Sequence, residues 1–386
     1  MRIDALANQT QSDYSRFLSA VTGAGLAGNS LPYVLFYYPV LRLNPFHELL
    51  YGSASRSNVV TVPLSDIKSI NEIGWGGSVA LHLHWLHPVL KAAASEAEAR
   101  VLAHEFHQLL RRFKNRGVKI IWTVHNVLPH QARFNTADVE IHKSVANLAD
   151  GIHVMNSATR ELAKPWYSLP QSRTFHVPHP SYQGWYGNVI ERDQARQMLG
   201  IGSDERVFLC FGSIQPYKGL LELLGAFQRL RNEYEGIQMR LIIAGIVSDP
   251  GYGTTLRSLA ASCTGVSLVT RSIPEEQVQV YFNAADVAVA PYTRTLNSGV
   301  ALLAAAFRRP MIAPSLGAMA EVFGFSYPLL YGPEDSNGLL NAMRRSMTYK
   351  TEKGYFDRIL KRHDRDKVSR EFFSHVTRLF RAPIEV

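Results

Sequence analysis

Four clusters of residues combine types and spacings that can bind or move charge. The first is Phe211-Gly212-Ser213-Ile214-Gln215-Pro216-Tyr217-Lys218-Gly219, set between an apolar run and a helical one. Gly212 permits a tight turn and close backbone approach. The helix beginning after Gly219 offers unpaired N–H groups and a positive dipole end to a phosphate. Lys218 adds a mobile full charge able to reach a diphosphate, although an ordinary strand–helix turn with a solvated lysine would use the same residues. The second cluster is Pro291-Tyr292 followed by Thr293 to Gly299, leading into an apolar helix over 300–307. Asn297 or Ser298 can cap that helix, and Gly299 leaves room for a phosphate or sugar; capping alone would also account for them.

The third cluster, Thr123-Val124-His125-Asn126 with Pro129-His130, follows an apolar strand pattern. A histidine there titrates near neutral pH and can act as a general base or contact a reacting sugar. A structural hydrogen-bonding histidine is the competing reading. The fourth is His82-Leu83-His84-Trp85-Leu86-His87. Strand alternation puts His82 and His84 on one face, but neither a cysteine nor a close carboxylate accompanies them. Hydrogen-bonded or acceptor-contacting histidines are therefore expected, and no metal.

These clusters need strands to hold them. Apolar runs over 33–39, 59–62, 79–85, 119–126, 151–155 and 174–177 read as strands, with helices over 88–116 and 136–148 between them. From 178 to 189 the text becomes Pro, Gly, Tyr and Trp without period. The alternation then restarts: strands over 207–211, 239–244, 266–269, 287–291 and 311–313 with helices between. Strands alternating with helices predict an α/β fold of two doubly wound parallel sheets. Ligands then bind beyond the carboxyl ends of the strands, where all four clusters fall. The expected organisation is a polar leader over 1–30, a first domain over 31–180, a linker over 181–190, a second domain over 191–340 and a basic helical segment over 341–386.

The chain has 386 residues, 46% of them hydrophobic and 19% charged, which is globular rather than disordered. Two cysteines exclude a disulfide framework and suit a reducing cytoplasm. No stretch reaches the ~18 apolar residues of a membrane span, and the polar start argues against a signal peptide. The net charge is +9. From Asn341 to Arg381, 12 Lys and Arg stand against 5 Asp and Glu. That surplus fits a solvated helix face, an anionic membrane surface or a pyrophosphate-bearing acceptor. Nucleic acid is not expected, since no nucleic-acid motif accompanies the charge. There is neither a GxGxxG after the first strand nor a P-loop. The Asp364-Arg365-Asp366 triplet lies in the basic tail rather than at a strand end.

Taken together, the pieces resemble the GT-B glycosyltransferases, two Rossmann-like domains facing a cleft. They are most similar to the xanthan-type beta-mannosyltransferases, which use GDP-mannose and a polyprenyl-diphosphate-linked acceptor. The resemblance rests on Asn44-Pro45-Phe46, His82-Leu83-His84-Trp85, Thr123-Val124-His125-Asn126 with Pro129-His130, Phe211 to Gly219, and Pro291-Tyr292 with Asn297-Ser298-Gly299. It implies a metal-independent hexosyltransferase with no cofactor beyond its nucleotide-sugar co-substrate, GDP-mannose or a UDP-sugar. The acceptor would be a lipid-diphosphate-linked saccharide, met by the first domain at the inner face of the membrane. Gly212, Gln215, Tyr217, Lys218, Gly219, Asn297, Ser298 and Gly299 would hold the donor. His84, Trp85 and Asn126 would face the acceptor. His125 is the expected base, with His130 second. Departures from related patterns are Thr295 and Leu303 in place of two glutamates, Ser213 in place of an arginine, Gln215 for another arginine and Gln131 for a glutamate. The missing glutamates favour inversion. A non-catalytic partner protein or a sugar-nucleotide epimerase on the same fold are the alternatives.

Overall fold

The computed structural model describes residues 12–24, 31–40, 44–129 and 133–381. They divide into one compact unit within residues 1–180 and 365–386 and a second within 181–364. Unit 1 runs α1 (Asp13–Gly23), β1 (Tyr33–Tyr38), α2 (Phe46–Tyr51), β2 (Val59–Pro63), β3 (Val79–Leu83), α3 (Glu96–Asn115), β4 (Lys119–Thr123), α4 (Asn135–Leu148), β5 (Gly151–Val154), α5 (Thr159–Ala163) and β6 (Thr174–His176). Unit 2 begins with α6 (Arg192–Met198), β7 (Arg206–Phe211), α7 (Leu220–Glu233), β8 (Met239–Ala244), α8 (Pro250–Ser262) and β9 (Val266–Val269). It continues through α9 (Glu275–Ala284), β10 (Val287–Val289), α10 (Gly299–Ala306), β11 (Met311–Pro314), α11 (Ala318–Phe323), β12 (Leu330–Tyr331), α12 (Gly338–Ser346) and α13 (Tyr355–Arg362). The last helix, α14 (Arg365–Arg381), returns to unit 1.

Both sheets are parallel and six-stranded, ordered β2-β1-β3-β4-β5-β6 and β12-β11-β10-β7-β8-β9. Helices cover both faces, so the strands are near-continuous apolar runs such as Val34-Leu35-Phe36 and Val207-Phe208-Leu209, all fully buried. Strand order reverses direction between β1 and β3 in unit 1, and between β7 and β10 in unit 2. At such switch points the adjoining loops diverge to opposite faces and leave a crevice at the carboxyl edge.

Four expectations change. The helix foreseen over 88–116 starts at Glu96, and residues 87–90 make only a 3-10 turn. Ser95 Oγ accepts from the Glu98 amide while Glu98 returns a carboxylate to the Ala94 amide, which fixes the start there. The 1–30 stretch is not simply a leader. α1 is capped by Ser12, and the Asp13 carboxylate accepts from the amides of Ser65 and Asp66 and from the Ser65 hydroxyl. Those bonds hold the Asp13 carboxyl well below the usual range despite its burial, and Phe17 packs on Phe36 and Trp75. The 181–190 stretch is seated on unit 2: Gln279 accepts from the Val189 amide, and Asn283 donates to the Ile190 carbonyl.

The fourth change is the basic tail. Its charge occupies one side of α14 only; Val368, Phe372, Phe373 and Val376 are fully buried against Leu35, Leu50 and Tyr51. Phe380 stacks on Tyr33 at 4.4 Å and His375 on Phe175 at 4.4 Å. Ser369 Oγ accepts from the Ser53 amide at 2.9 Å. The helix is therefore a structural layer of unit 1. Phe372→Ala, deleting a core ring, is expected to lower unfolding free energy by about 3–5 kcal/mol. Urea titration reads this, and a loss under about 1 kcal/mol would mean the helix is dispensable to the core.

Candidate active site

In unit 2, the loops leaving β7 and β10 meet at the switch point. Gly212 has φ +108, a region open to glycine, and a Cβ at Gly245 would fall 1.9 Å from the Gly212 carbonyl oxygen. Gly219, at φ +64, starts α7 in the left-handed region, and a Cβ there would meet the Pro291 carbonyl at 2.1 Å. Gly212, Gly245 and Gly219 bring three stretches of backbone together at the carboxyl edge. The Thr293 amide then donates to the Tyr217 carbonyl, locking one loop on the other.

Lys218 is not the mobile charge expected from sequence. It is buried, its Nζ donates to Tyr292 Oη at 2.7 Å and lies 4.2 Å from that ring's centroid. The Tyr217 ring lies 5.6 Å away. Two aromatic faces and a hydroxyl fix the ammonium in place. A Cβ on Gly212 would lie 3.6 Å from Lys218 Nζ and 3.9 Å from Val300, so the cation, the Gly212 turn and the first turn of α10 converge. Gln215 turns toward the hydroxyls of Ser213 (3.3 Å) and Ser248 (3.4 Å).

Ser298 does not cap α10 with its side chain. Among the described residues its hydroxyl is buried and has no hydrogen-bond partner, which marks it as a group a ligand can satisfy. Asn297 adjoins it, its carbonyl accepting from Thr295 Oγ1 at 3.0 Å. The space at Gly299 is taken by Tyr182, whose Oη would lie 2.5 Å from a Cβ there, so this glycine serves packing rather than leaving ligand space. Among the described residues, the first turn of α10 carries no acid, and Thr295 and Leu303 stand as the sequence has them.

In unit 1, His84 and His125 leave neighbouring strands and meet. His125 Nε2 lies 3.0 Å from His84 Nδ1, and the Trp85 ring stacks on His125 at 3.8 Å. His84, Trp85, His125 and Asn126 line one small pocket with Pro129 and His142. His130 and Gln131 lie outside the described residues. Sequence reasoning missed Tyr51 and His153, which continue the hydrogen bonding inward, and His47, whose two ring nitrogens are buried without partners among the described residues. His47 sits edge-on to His84 at 4.3 Å. The His-Glu-Leu-Leu-Tyr text of α2 hinted at none of this, because an i, i+4 His–Tyr pair is ordinary helix content. Asp138 was missed too: burial pushes its carboxyl up to about 6, and it shares a cavity of about 130 Å³ with His87, Lys91 and Arg133. Among the described residues, no group of three or more His, Cys, Asp or Glu is arranged to hold a metal ion.

Solved structures share this architecture. The Thermosynechococcus elongatus sucrose-phosphate synthase structure superposes with a TM-score of 0.70, at 18% identity, covering 91% of this chain and all of that one. Anabaena HepE in complex with UDP and glucose gives 0.66 at 14% identity, covering 90% and 100%. The fold is GT-B. Residues 205–348 match the family described as glycosyl transferases group 1. The GDP-mannose:glycolipid 4-beta-D-mannosyltransferase of Xanthomonas campestris pv. campestris is 26% identical over 271 residues, 68% of this chain and 70% of the relative. The D-inositol 3-phosphate glycosyltransferase of Thermobispora bispora is 30% identical over 46% of this chain and 42% of its own length. Over residues 205–348, within unit 2, the chain is therefore similar to the group 1 glycosyltransferases, on an architecture that is GT-B throughout.

The buried histidines give unit 1 a pH signature. Burial lowers His47 and His142 to about 4 and His153 to about 3, and holds His82, His84 and His125 well below the ordinary value. The unfolded chain therefore takes up these protons first as pH falls. Their contribution is complete above about 6.5 and is lost below it, by up to about 1.4 kcal/mol per pH unit for each histidine. Urea midpoints are expected to drop steeply from pH 7 to 5.5. A flat profile would mean the rings protonate freely in the folded protein.

Proposed function

We propose that this enzyme transfers a hexose, mannose from GDP-mannose, onto a hydroxyl of a lipid-diphosphate-linked saccharide with inversion at the anomeric carbon. The observation that carries the reading is the donor-side switch point: a fixed Lys218 ammonium, an orphaned Ser298 hydroxyl and the start of α7, with no carboxylate in the first turn of α10. Such a site stabilises a leaving diphosphate without a metal and offers no glutamate to the sugar. The acceptor oxygen attacks the anomeric carbon as the bond to the diphosphate oxygen breaks. The acceptor proton passes to His125, and the electron pair leaves with the nucleoside diphosphate, facing Lys218.

The Xanthomonas relative supplies the mannose and glycolipid reading, since its similarity extends over both units. A groove of about 610 Å³ in unit 1 supports a lipid-linked acceptor. Val89, Leu102, Phe106 and Leu109 give it an apolar wall, and Lys68 and Arg112, with Glu105 as the one carboxylate among the lining residues, leave its rim net cationic, as a diphosphate would favour. A UDP-sugar donor is the second reading, favoured by Anabaena HepE, which was solved with UDP-glucose.

Melting-temperature shifts decide the donor, because a ligand of the folded state alone stabilises by mass action. GDP and GDP-mannose are expected to shift the protein, and a response to UDP compounds alone would replace mannose with the second reading. Lys218→Ala should lower kcat/KM for donor about 10²–10³-fold. His125→Ala should lower transfer about 10²–10⁴-fold while keeping the donor-induced shift; a drop under tenfold removes it as the base.

Among the described residues, no helix is long and apolar enough to cross a membrane. The reading therefore makes the enzyme peripheral, drawn to the anionic inner face by exposed Arg111 and Arg112 of α3 and by the outer side of α14. Within the Arg111–Lys114 run, Phe113 is buried and Lys114 is paired with Asp150 at 2.9 Å, so only the two arginines remain for lipid. Co-sedimentation with vesicles containing phosphatidylglycerol should weaken with salt and vanish for phosphatidylcholine alone; binding indifferent to both would exclude an electrostatic anchor.

A further inference from the structure

Beneath His125 runs an unbroken chain of hydrogen bonds. His125 Nε2 meets His84 Nδ1 at 3.0 Å, and His84 Nε2 meets Tyr51 Oη at 2.8 Å. Tyr51 Oη is also 2.8 Å from His82 Nδ1. His82 Nε2 meets Thr123 Oγ1 at 2.7 Å, Thr123 Oγ1 meets His153 Nδ1 at 2.9 Å, and His153 Nε2 ends 2.8 Å from the Val177 carbonyl oxygen.

The far end fixes the direction of every link. A carbonyl only accepts, so His153 Nε2 carries a hydrogen and donates it. In a neutral ring Nδ1 then accepts, which requires the Thr123 hydroxyl to donate. That hydroxyl has one hydrogen, so it must accept from His82 Nε2–H. His82 Nδ1 then accepts from Tyr51, and Tyr51, its hydrogen spent, accepts from His84 Nε2–H. His84 Nδ1 is left to accept from His125 Nε2–H. Burial keeps these rings neutral. Phe372 of α14 stacks on His82 at 5.1 Å and lies 5.3 Å from His153, so the inner links are shut from water.

We propose that Tyr51, His82, Thr123 and His153 are positioning residues for sugar transfer: the chain they form from the Val177 carbonyl holds His125 as its Nε2–H tautomer and makes Nδ1 its basic nitrogen. This inference rests on His125 being the base. Every donor in the chain points away from His125, so six aligned bond dipoles turn their negative ends toward it. They stabilise the imidazolium formed when Nδ1 takes the acceptor proton, the part a buried carboxylate plays beside the base of a catalytic triad. The chain ends on a peptide carbonyl, which cannot carry a proton onward, so it orients the base rather than conducting.

The test is nitrogen-15 NMR of histidine-labelled full-length protein combined with kinetics. Wild type should show His125 protonated at Nε2 and unprotonated at Nδ1. Thr123→Val removes the hydroxyl at nearly constant shape. It should mix the His125 tautomers and lower kcat about 10–100-fold with donor KM within about twofold, while Thr123→Ser restores both. If Thr123→Val does not fold, Tyr51→Phe cuts the same chain at another link. A wild-type His125 protonated at Nδ1, or a tautomer and kcat untouched by either cut, overturns the proposal. The base assignment fails separately, through activity surviving in His125→Ala, so the two failures are told apart.

Discussion

One phenolic hydroxyl has two histidine nitrogens within 2.8 Å and a single hydrogen to give. Unit 1 is arranged around meeting that demand. Tyr51 is the last residue of α2, so this short helix must lie over the carboxyl ends of β1 and β3. His82 and His84 must then share the face that the pleat gives residues two apart. Thr123 is the last residue of β4, and His153 lies on β5. Helix α2 and the three adjacent strands β3, β4 and β5 thus supply Tyr51, His82, Thr123 and His153, and any slip of register would strand a polar group in the core, at a cost of about 1–3 kcal/mol.

Unit 2 solves a different problem with similar economy. A buried ammonium is costly unless satisfied, and the Tyr292 hydroxyl with two aromatic faces satisfies it without an acid. A carboxylate partner would neutralise the ammonium. A tyrosine pair leaves its positive charge whole, as the proposed diphosphate role requires. Gly212 and Gly219 act before this, by allowing the loops that bear Lys218 and Tyr292 to touch.

Much of this was legible in the sequence. Alternating apolar runs and turn residues located both parallel sheets, because fully buried strands leave continuous apolar text. The clusters at 123–126, 211–219 and 291–299 stood out because switch-point ligands sit just past strands. What stayed hidden depended on partners distant in sequence. Tyr292 lies 74 residues from Lys218, and nothing local marks it as the group that immobilises the lysine. His153 reads as an odd polar residue in a strand until Thr123 is beside it. Ser298 reads as a helix cap, the commonest use of serine there, and only its orphaned hydroxyl shows otherwise. The basic tail was legible as a helix with a charged face, whereas its apolar stripe stayed hidden because that needs helical spacing and a receiving surface.

The returning helix α14 has a consequence for how the protein is made. The core that seals the histidines joins Tyr51 and His82 to Phe372, residues separated by almost the whole chain. During synthesis the first sheet emerges early, yet the aromatic layer over it is encoded only after unit 2. Unit 2, within residues 181–364, is complete in sequence before α14 exists. The half translated first is therefore the half finished last. Until α14 leaves the ribosome, Tyr51 and the inner histidines lack the Phe372 ring that covers them, and the apolar surface awaiting α14 is open to premature contacts.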